Sequence, residues 1–460
     1  MDIQDTLSNS KKRLDAQKVR IYLCGVTVYD DSHIGHARTI IVFDVLRRYL
    51  ESAGAKVELV QNFTDVDDKI IDRARAESSA AGIVSGRYIE SYFRDFDELN
   101  VMRADSYPKA TEHIGEIIDY ISTLEKKGAA YSSANGVYFA VSAFSRYGVL
   151  SKKKIDELQS GARIEVDESK KDPLDFALWK FSKDDPSWDS PWGRGRPGWH
   201  IECSAMSTKY LGENFEIHGG GRDLIFPHHE NEMAQTETCT GAPFAKIWMH
   251  VGMVTINGEK MAKSTGNVRS VRRVLDEWGP NIIRLFCLSG HYSKPIDYTE
   301  DLLCEDLAKW RQAETCYFEL IHAGGPGGGA SGMVKEMSAS FDAALRDDLN
   351  THLALSAFFG MVKVANKMAA EGTLGGDDAR AIRPELERMM GILGLSIPEI
   401  TQEEIQEIDG MITQREELRK EKKFSDADRI RDEISGMGVE LLDHGHGTVW
   451  VRREKIRAEN

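Results

Sequence analysis

No stretch of the 460-residue sequence approaches the ~18–20 consecutive apolar residues of a membrane span. Met1 to Arg20 is polar and mixed in charge. It therefore lacks the apolar core of a signal peptide and the acid-poor character of a transit peptide, and a cytoplasmic location is expected. Cysteine is sparse: the six are Cys24, Cys203, Cys239, Cys287, Cys304 and Cys316, with no CxxC pair. That argues against a disulfide framework, and any metal site has to be assembled from distant segments. There is no excess of positive charge either. The net charge of −15 excludes a chain that coats nucleic acid without specificity. The last fifty residues, with 11 Lys/Arg and 11 Asp/Glu, are neutral, so the rest of the chain carries the acidic excess. No internal repeat is present.

What is there begins with an α/β pattern. Val19 to Gly25 is rich in β-branched and apolar residues and closes on glycine, which predicts a strand. A helix is expected to follow from an N-cap at Asp31 or Ser32, with Phe43, Leu46 and Leu50 at helical spacing. Lys56 to Val60 is a second expected strand, giving a parallel-sheet unit. Between about 110 and 198 the alternation breaks, and the Trp/Pro/Gly-rich stretch Trp188 to Trp199 suggests an inserted subdomain. The α/β pattern returns from Ile201 to about Ile296. Helices are expected beyond it, interrupted by a glycine-rich segment, Ala323 to Gly332, read as a flexible connector. A last segment has a charged helical stretch and a strand at Thr448 to Val451.

Two motifs suggest phosphate chemistry. His33-Ile-Gly-His36 falls in the turn after the first strand, where a helix N-terminus offers N–H groups and the positive end of its dipole to a phosphate. Two histidines three residues apart can donate to α-phosphate oxygens as charge builds, and Gly35 leaves room for a nucleotide. The plain alternative is a pair of surface histidines. Lys260-Met-Ala-Lys-Ser264 pairs two lysines three residues apart and suits a loop that grips a pyrophosphate leaving group. Alone it reads more readily as a solvated basic turn. Together, in this order, the two are far more specific.

A third constellation is His218-Gly-Gly-Gly-Arg-Asp-Leu-Ile-Phe-Pro-His-His-Glu-Asn-Glu232. Pro227 suits the first turn of a helix, which places His228 and Glu232 one turn apart, a spacing that can hold one metal. His229 with Glu232 is the geometric rival. Cys24 and Cys203 can converge on the same cleft as further ligands, or serve as small core residues.

The paired phosphate motifs resemble the signatures of class I aminoacyl-tRNA synthetases, with Ala262 where the second signature usually has Ser. The zinc-segment motifs, with Gly198-Trp-His-Ile-Glu-Cys-Ser204, resemble the cysteinyl-tRNA synthetase family from end to end. The resemblance implies an α/β fold. A Rossmann-like catalytic domain in two halves (1–110 and 199–300, the second with the KMAKS loop) would hold an inserted connective subdomain (111–198). A helical bundle (301–399) and a small α+β anticodon-binding module (400–460) would follow.

It implies activation of L-cysteine with ATP, with Mg2+, and transfer to the terminal ribose of tRNA(Cys) by a monomer. The catalytic groups would be His33, His36, Lys260 and Lys263. ATP would be held by these with Gly35, Gly219, Gly220, Gly221 and Ser264. Thr64, Trp199, His218 and Asp223 would line the cysteine pocket. One Zn2+ would sit on Cys24, Cys203, His228 and Glu232 and take the substrate thiolate as a further ligand, where a pocket reading shape alone offers only ~1–3 kcal/mol against serine. Arg419, Phe424, Asp428 and Asp443 would read the anticodon, with Phe424 where the family often has Trp. Two rival readings are a cysteine:amino-sugar ligase, which would not need the terminal module, and a non-catalytic zinc-stabilised RNA-binding protein.

Overall fold

The computed structural model describes residues 1–154, 169–261, 266–398, 400–444 and 447–459. It divides into two compact units. The first holds residues 1–255, 260–272 and 292–296, and the second holds 256–259, 273–291 and 297–460.

The first unit is built on a four-stranded parallel sheet. Its spatial order is Ala245–Val251, Phe215–Gly221, Lys18–Leu23, Lys56–Gln61. Ile21 lies opposite both Leu59 and Ile217, and Ile217 opposite Ile247, so β-branched and leucine side chains form a continuous row. All four are buried, as expected of a parallel sheet covered on both faces. Burying one such side chain stabilises by roughly 2–3 kcal/mol. The first strand by sequence sits inside the sheet. Its successor pairs on one side and the later strands pair on the other. The chain therefore reverses its direction of growth between Lys18–Leu23 and Phe215–Gly221, and the crevice at the carboxyl ends of those strands is where such sheets bind ligands.

The half-buried ion pair Arg20–Glu216 ties those two strands, with Nε to Oε2 at 2.9 Å and Lys246 Nζ at 3.0 Å from Oε1. Burial pushes the Glu216 carboxyl up. The Arg20 and Lys246 contacts outweigh that and bring it down to about 2. Along the chain, between the two halves of the sheet, comes a four-stranded antiparallel sheet, Ala130–Ser132, Gly136–Phe139, Phe176–Phe181 and Gly195–Pro197, packed on its own apolar cluster around Val137, Phe139, Leu178 and Trp179.

The second unit is helical, with Glu300–His322, Ser331–Arg346, Thr351–Ala370 and Gly376–Leu393, followed by Gln402–Lys420, Phe424–Gly436 and the hairpin Val439–His444/Gly447–Arg452. Thr351–Ala370 is long and apolar enough to cross a membrane by length and composition, yet Phe358, Met361, Val362 and Ala365 are buried among neighbouring helices. Ile408, Ile412, Ile430, Ile434 and Trp450 form the core under the terminal hairpin.

The glycine-rich segment is not the flexible connector expected from its composition. Its backbone wraps the buried Asp378 carboxylate, which accepts from Gly328 N at 3.1 Å and Ala330 N at 2.9 Å, and from Gly375 N at 3.2 Å. A Cβ at Gly327 would fall 2.2 Å from Asp378 Oδ2, so glycine is needed there for close approach rather than for freedom.

Candidate functional site

The helix after the first strand is Ile34–Ser52, and its N-cap is His33, not Asp31 or Ser32. Histidine supplants the usual cap residues because the motif caps itself. His33 Nδ1 accepts from His36 N, and His36 Nδ1 accepts from His33 N, both at 3.3 Å. The two rings stack at 3.6 Å. Accepting at Nδ1 places each neutral ring's proton on Nε2, so the pair presents Nε2–H donors. Gly35 fits between the His33 ring and the Met261 methyl, 3.1 and 3.3 Å from where its Cβ would be.

These residues line a cleft of about 390 Å³ at the sheet's switch point. Cys24, His33, Gly35, His36, Trp199, Gly221 and Asp223 face it. Gly219 and Gly220 are glycine for packing: a Cβ on the first would lie 2.0 Å from Phe43 Cζ, and on the second 2.9 Å from His229 Cε1. Thr64 is buried, with its backbone bridging to Val26 and Val28. Lys263 and Ser264 lie outside the described residues, as does the side chain of Lys260.

Beneath the cleft sits a buried cluster. Cys24, Cys203, His228 and Glu232 each offer a ligand atom within 4.8 Å of the others, and so do Cys24, His218, His229 and Glu232. Cys24 Sγ is 3.8 Å from Cys203 Sγ and 3.4 Å from Glu232 Oε1, and His228 Nε2 is 2.8 Å from that oxygen. Three distant segments deliver these atoms. Cys24 follows the first strand, where Gly25 allows the Asn62 carbonyl to cross at a distance any Cβ would block. Cys203 is on the helix Trp199–Leu211. His228 precedes the helix Glu230–Thr240, and Glu232 stands in its first turn. Pro227 thus stands in a separate turn, Ile225–His229, rather than in that helix's first turn.

The donor set suits zinc, with two sulfurs, an imidazole and a carboxylate. The two overlapping sets share Cys24 and Glu232 and differ in their other members. His229 Nε2 is 3.3 Å from Cys24 Sγ, its Nδ1 is 2.7 Å from His250 Nε2, and His250 Nδ1 is 2.8 Å from Thr6 Oγ1. His228 has Nδ1 2.9 Å from His200 Nδ1, and Trp199 stacks on its ring at 4.1 Å.

Burial pushes His228 down, but Glu232 and Cys203 outweigh it and raise it to about 10. Burial raises Glu232, while His228 and His218 hold its carboxyl well below the usual range. Burial lifts the Cys24 thiol, and the hydrogen bond from Cys24 lowers that of Cys203. His229 and His250 are pushed down by burial and by His218, His250 to about 3, so both rings stay neutral.

Among the anticodon candidates, Phe424 is 59% exposed and Asp428, one turn along the same helix, is exposed too. Asp443 is held by Arg415, with Nη1 to Oδ1 at 3.2 Å and Nη2 to Oδ2 at 3.1 Å. Arg419 Nη1 lies 3.5 Å away and Thr448 Oγ1 donates at 2.7 Å. Sequence reasoning passed over Arg415, which is buried, and over Asn62, whose Oδ1 accepts from Gly25 N at 3.0 Å. Neither carries a motif, and only the fold brings them to their partners.

A family model for the class I (C) tRNA synthetase catalytic domain matches residues 10–308, and a DALR domain model matches 340–397. The curated cysteine–tRNA ligase of Geobacter sulfurreducens is 45% identical over 474 aligned residues, covering 97% of this chain and 98% of its own. That of Carboxydothermus hydrogenoformans is 46% identical, covering 98% and 100%. The solved Mycobacterium tuberculosis methionyl-tRNA synthetase in complex with methionyl-adenylate superposes with a TM-score of 0.62 over 82% of this chain and 89% of that one, at 15% identity, a likeness of fold. With relatives matched over nearly the whole of both chains, this protein belongs to the cysteine–tRNA ligase family of class I aminoacyl-tRNA synthetases.

Proposed function

We propose that this chain activates L-cysteine with ATP, with Mg2+, and transfers it to the terminal ribose of tRNA(Cys). The observation that carries the reading is the meeting of two chemistries at one cleft. The His33–His36 pair faces it at one wall, and Cys24 brings the two-thiol cluster to its floor. An amino acid whose carboxylate meets the α-phosphate at the helix N-terminus can send a thiol toward that cluster. The DALR match and the relatives' full-length similarity favour this over an amino-sugar ligase, and over a non-catalytic RNA-binding protein.

The carboxylate is already a nucleophile, so activation requires positioning and charge stabilisation rather than a protein base. The Nε2–H groups of His33 and His36 donate to oxygens that gain charge in the transition state. Lys260 and Lys263, with Ser264, are assigned to the leaving pyrophosphate. Trp199 and Asp223 line the amino-acid side of the cleft, with Thr64 and His218 behind them. Cys24, Cys203, His228 and Glu232 would hold a zinc ion, which when bound supplies an affinity for thiolate that a hydroxyl cannot match. His229, bonded to His250 and 3.3 Å from Cys24 Sγ, is the rival ligand at the same floor. Arg419, Phe424, Asp428 and Asp443 are assigned to the anticodon in a module at 400–460. A single chain working in the cytoplasm is the expected form.

The test is charging of total tRNA with labelled cysteine. One acceptor species charged supports the reading. Cysteine-dependent pyrophosphate exchange without charging would move the acceptor to a small amine.

A further inference from the structure

We propose that Lys69 is a positioning residue for the acceptor end of the RNA, gripping a 3′-terminal phosphodiester during transfer and taking no part in activation. This rests on the function proposed above. Among the described residues, Lys69 is the one Lys or Arg side chain lining the cleft. It stands in the first turn of the helix Asp68–Ala76, where the helix dipole disfavours a cation.

Its acidic neighbours on the helix are committed elsewhere, while Asp30 and Asp31 line the same cleft. Asp67 Oδ1 caps the helix by accepting from Lys69 N at 2.9 Å. Asp68 accepts from Lys180 Nζ at 2.8 Å and pairs with Arg196. Among the described residues no carboxylate lies within ion-pair distance of the Lys69 ammonium. It rests 5.3 Å from the centre of the Tyr29 ring. A lysine placed against the dipole, left without a counter-ion and pointed into a cleft is arranged for an anion that arrives from outside.

The position selects which anion. The nucleotide-facing groups, His33, His36 and Gly221, come from the first strand of the sheet and from its neighbour Phe215–Gly221. Lys69 follows the strand on the opposite side, Lys56–Gln61. Asp68 fastens that helix start to the inserted antiparallel sheet through Lys180 and Arg196. We take the insertion side as the side from which RNA enters, and Lys69 stands at that edge of the cleft, over Tyr29 of the loop that leads to His33.

The experiment compares Lys69→Met and Lys69→Arg with the parent protein in two assays, cysteine-dependent pyrophosphate exchange without RNA and charging of tRNA(Cys). For Lys69→Met, kcat/KM for tRNA should fall about tenfold while exchange stays within about twofold. The salt dependence of tRNA binding should lose roughly one counter-ion, and Lys69→Arg should restore most of the loss. A fall in exchange that matches the fall in charging would overturn the proposal by assigning Lys69 to ATP or cysteine. Unchanged charging would also overturn it. Absence of charging by the parent protein would instead refute the function on which the proposal rests.

Discussion

The floor of the cleft and the terminal helical module present opposite surfaces. Cys203, His228 and Glu232 are almost wholly buried, and each is fixed by its neighbours. Phe424 and Asp428 stand in solvent. The difference follows from what each would recognise. Cysteine and serine differ by one atom, and reading that atom takes dry, preset donors whose charges are settled by contact. An unpaired base offers a broad π-face and polar edges, which an exposed ring and mobile side chains can meet. The glycine-rich segment shows the same contrast within the second unit: composition suggests freedom, yet a buried carboxylate pins it.

The comparison is broken most severely at the floor. Cys203→Ser should release zinc and reduce the preference for cysteine over serine from on the order of 10⁴ to the ten- to hundredfold that shape alone gives. Metal analysis and serine-dependent exchange check this, and full metal content would show that the ligand set is wrong. At the wall, His36→Asn removes a donor and half of the self-capping pair. Exchange should fall on the order of 10²- to 10³-fold with zinc retained. Unchanged turnover would remove His36 from the chemistry.

Behind the cleft, Glu216→Gln removes the charge partner of Arg20 between two central strands and should cost about 1–2 kcal/mol in denaturant unfolding. The sign with pH is fixed by the lowered carboxyl. The stability Glu216 contributes is complete above its ordinary value of 4.5 and drains as pH falls from there toward about 2, so the variant should show a flatter acid limb. The mildest effect belongs to the exposed module. Phe424→Ala should raise KM for tRNA about tenfold, the value of one stacked base, and leave exchange untouched. A loss of exchange there would show that the module supports the fold rather than reads RNA.

Much of this was legible in the sequence because the chemistry is local to motifs. The first strand and the spacing of His228 and Glu232 are written in short stretches, and the family resemblance supplied the ligand set. What was not legible depends on partners far along the chain. The His33 cap was missed because capping rules favour Asp and Ser, and only the stacked geometry reveals that His36 reciprocates. Gly219 and Gly220 suggested space for a nucleotide, whereas Phe43 and His229 fill the positions their Cβ atoms would take. Arg415 carries no motif, and only the hairpin brings Asp443 to it. His250 and Thr6 form no motif and meet only through the sheet.

The central claim is that the substrate's sulfur is read at the floor formed by Cys24, Cys203, His228 and Glu232. The most direct measurement replaces the metal with Co2+ and records the visible and near-ultraviolet spectrum as amino acid is added. The account predicts a new sulfur-to-cobalt charge-transfer band with cysteine and none with serine, lost in Cys203→Ser. Cysteine that supports exchange while leaving the cobalt spectrum unchanged would contradict it.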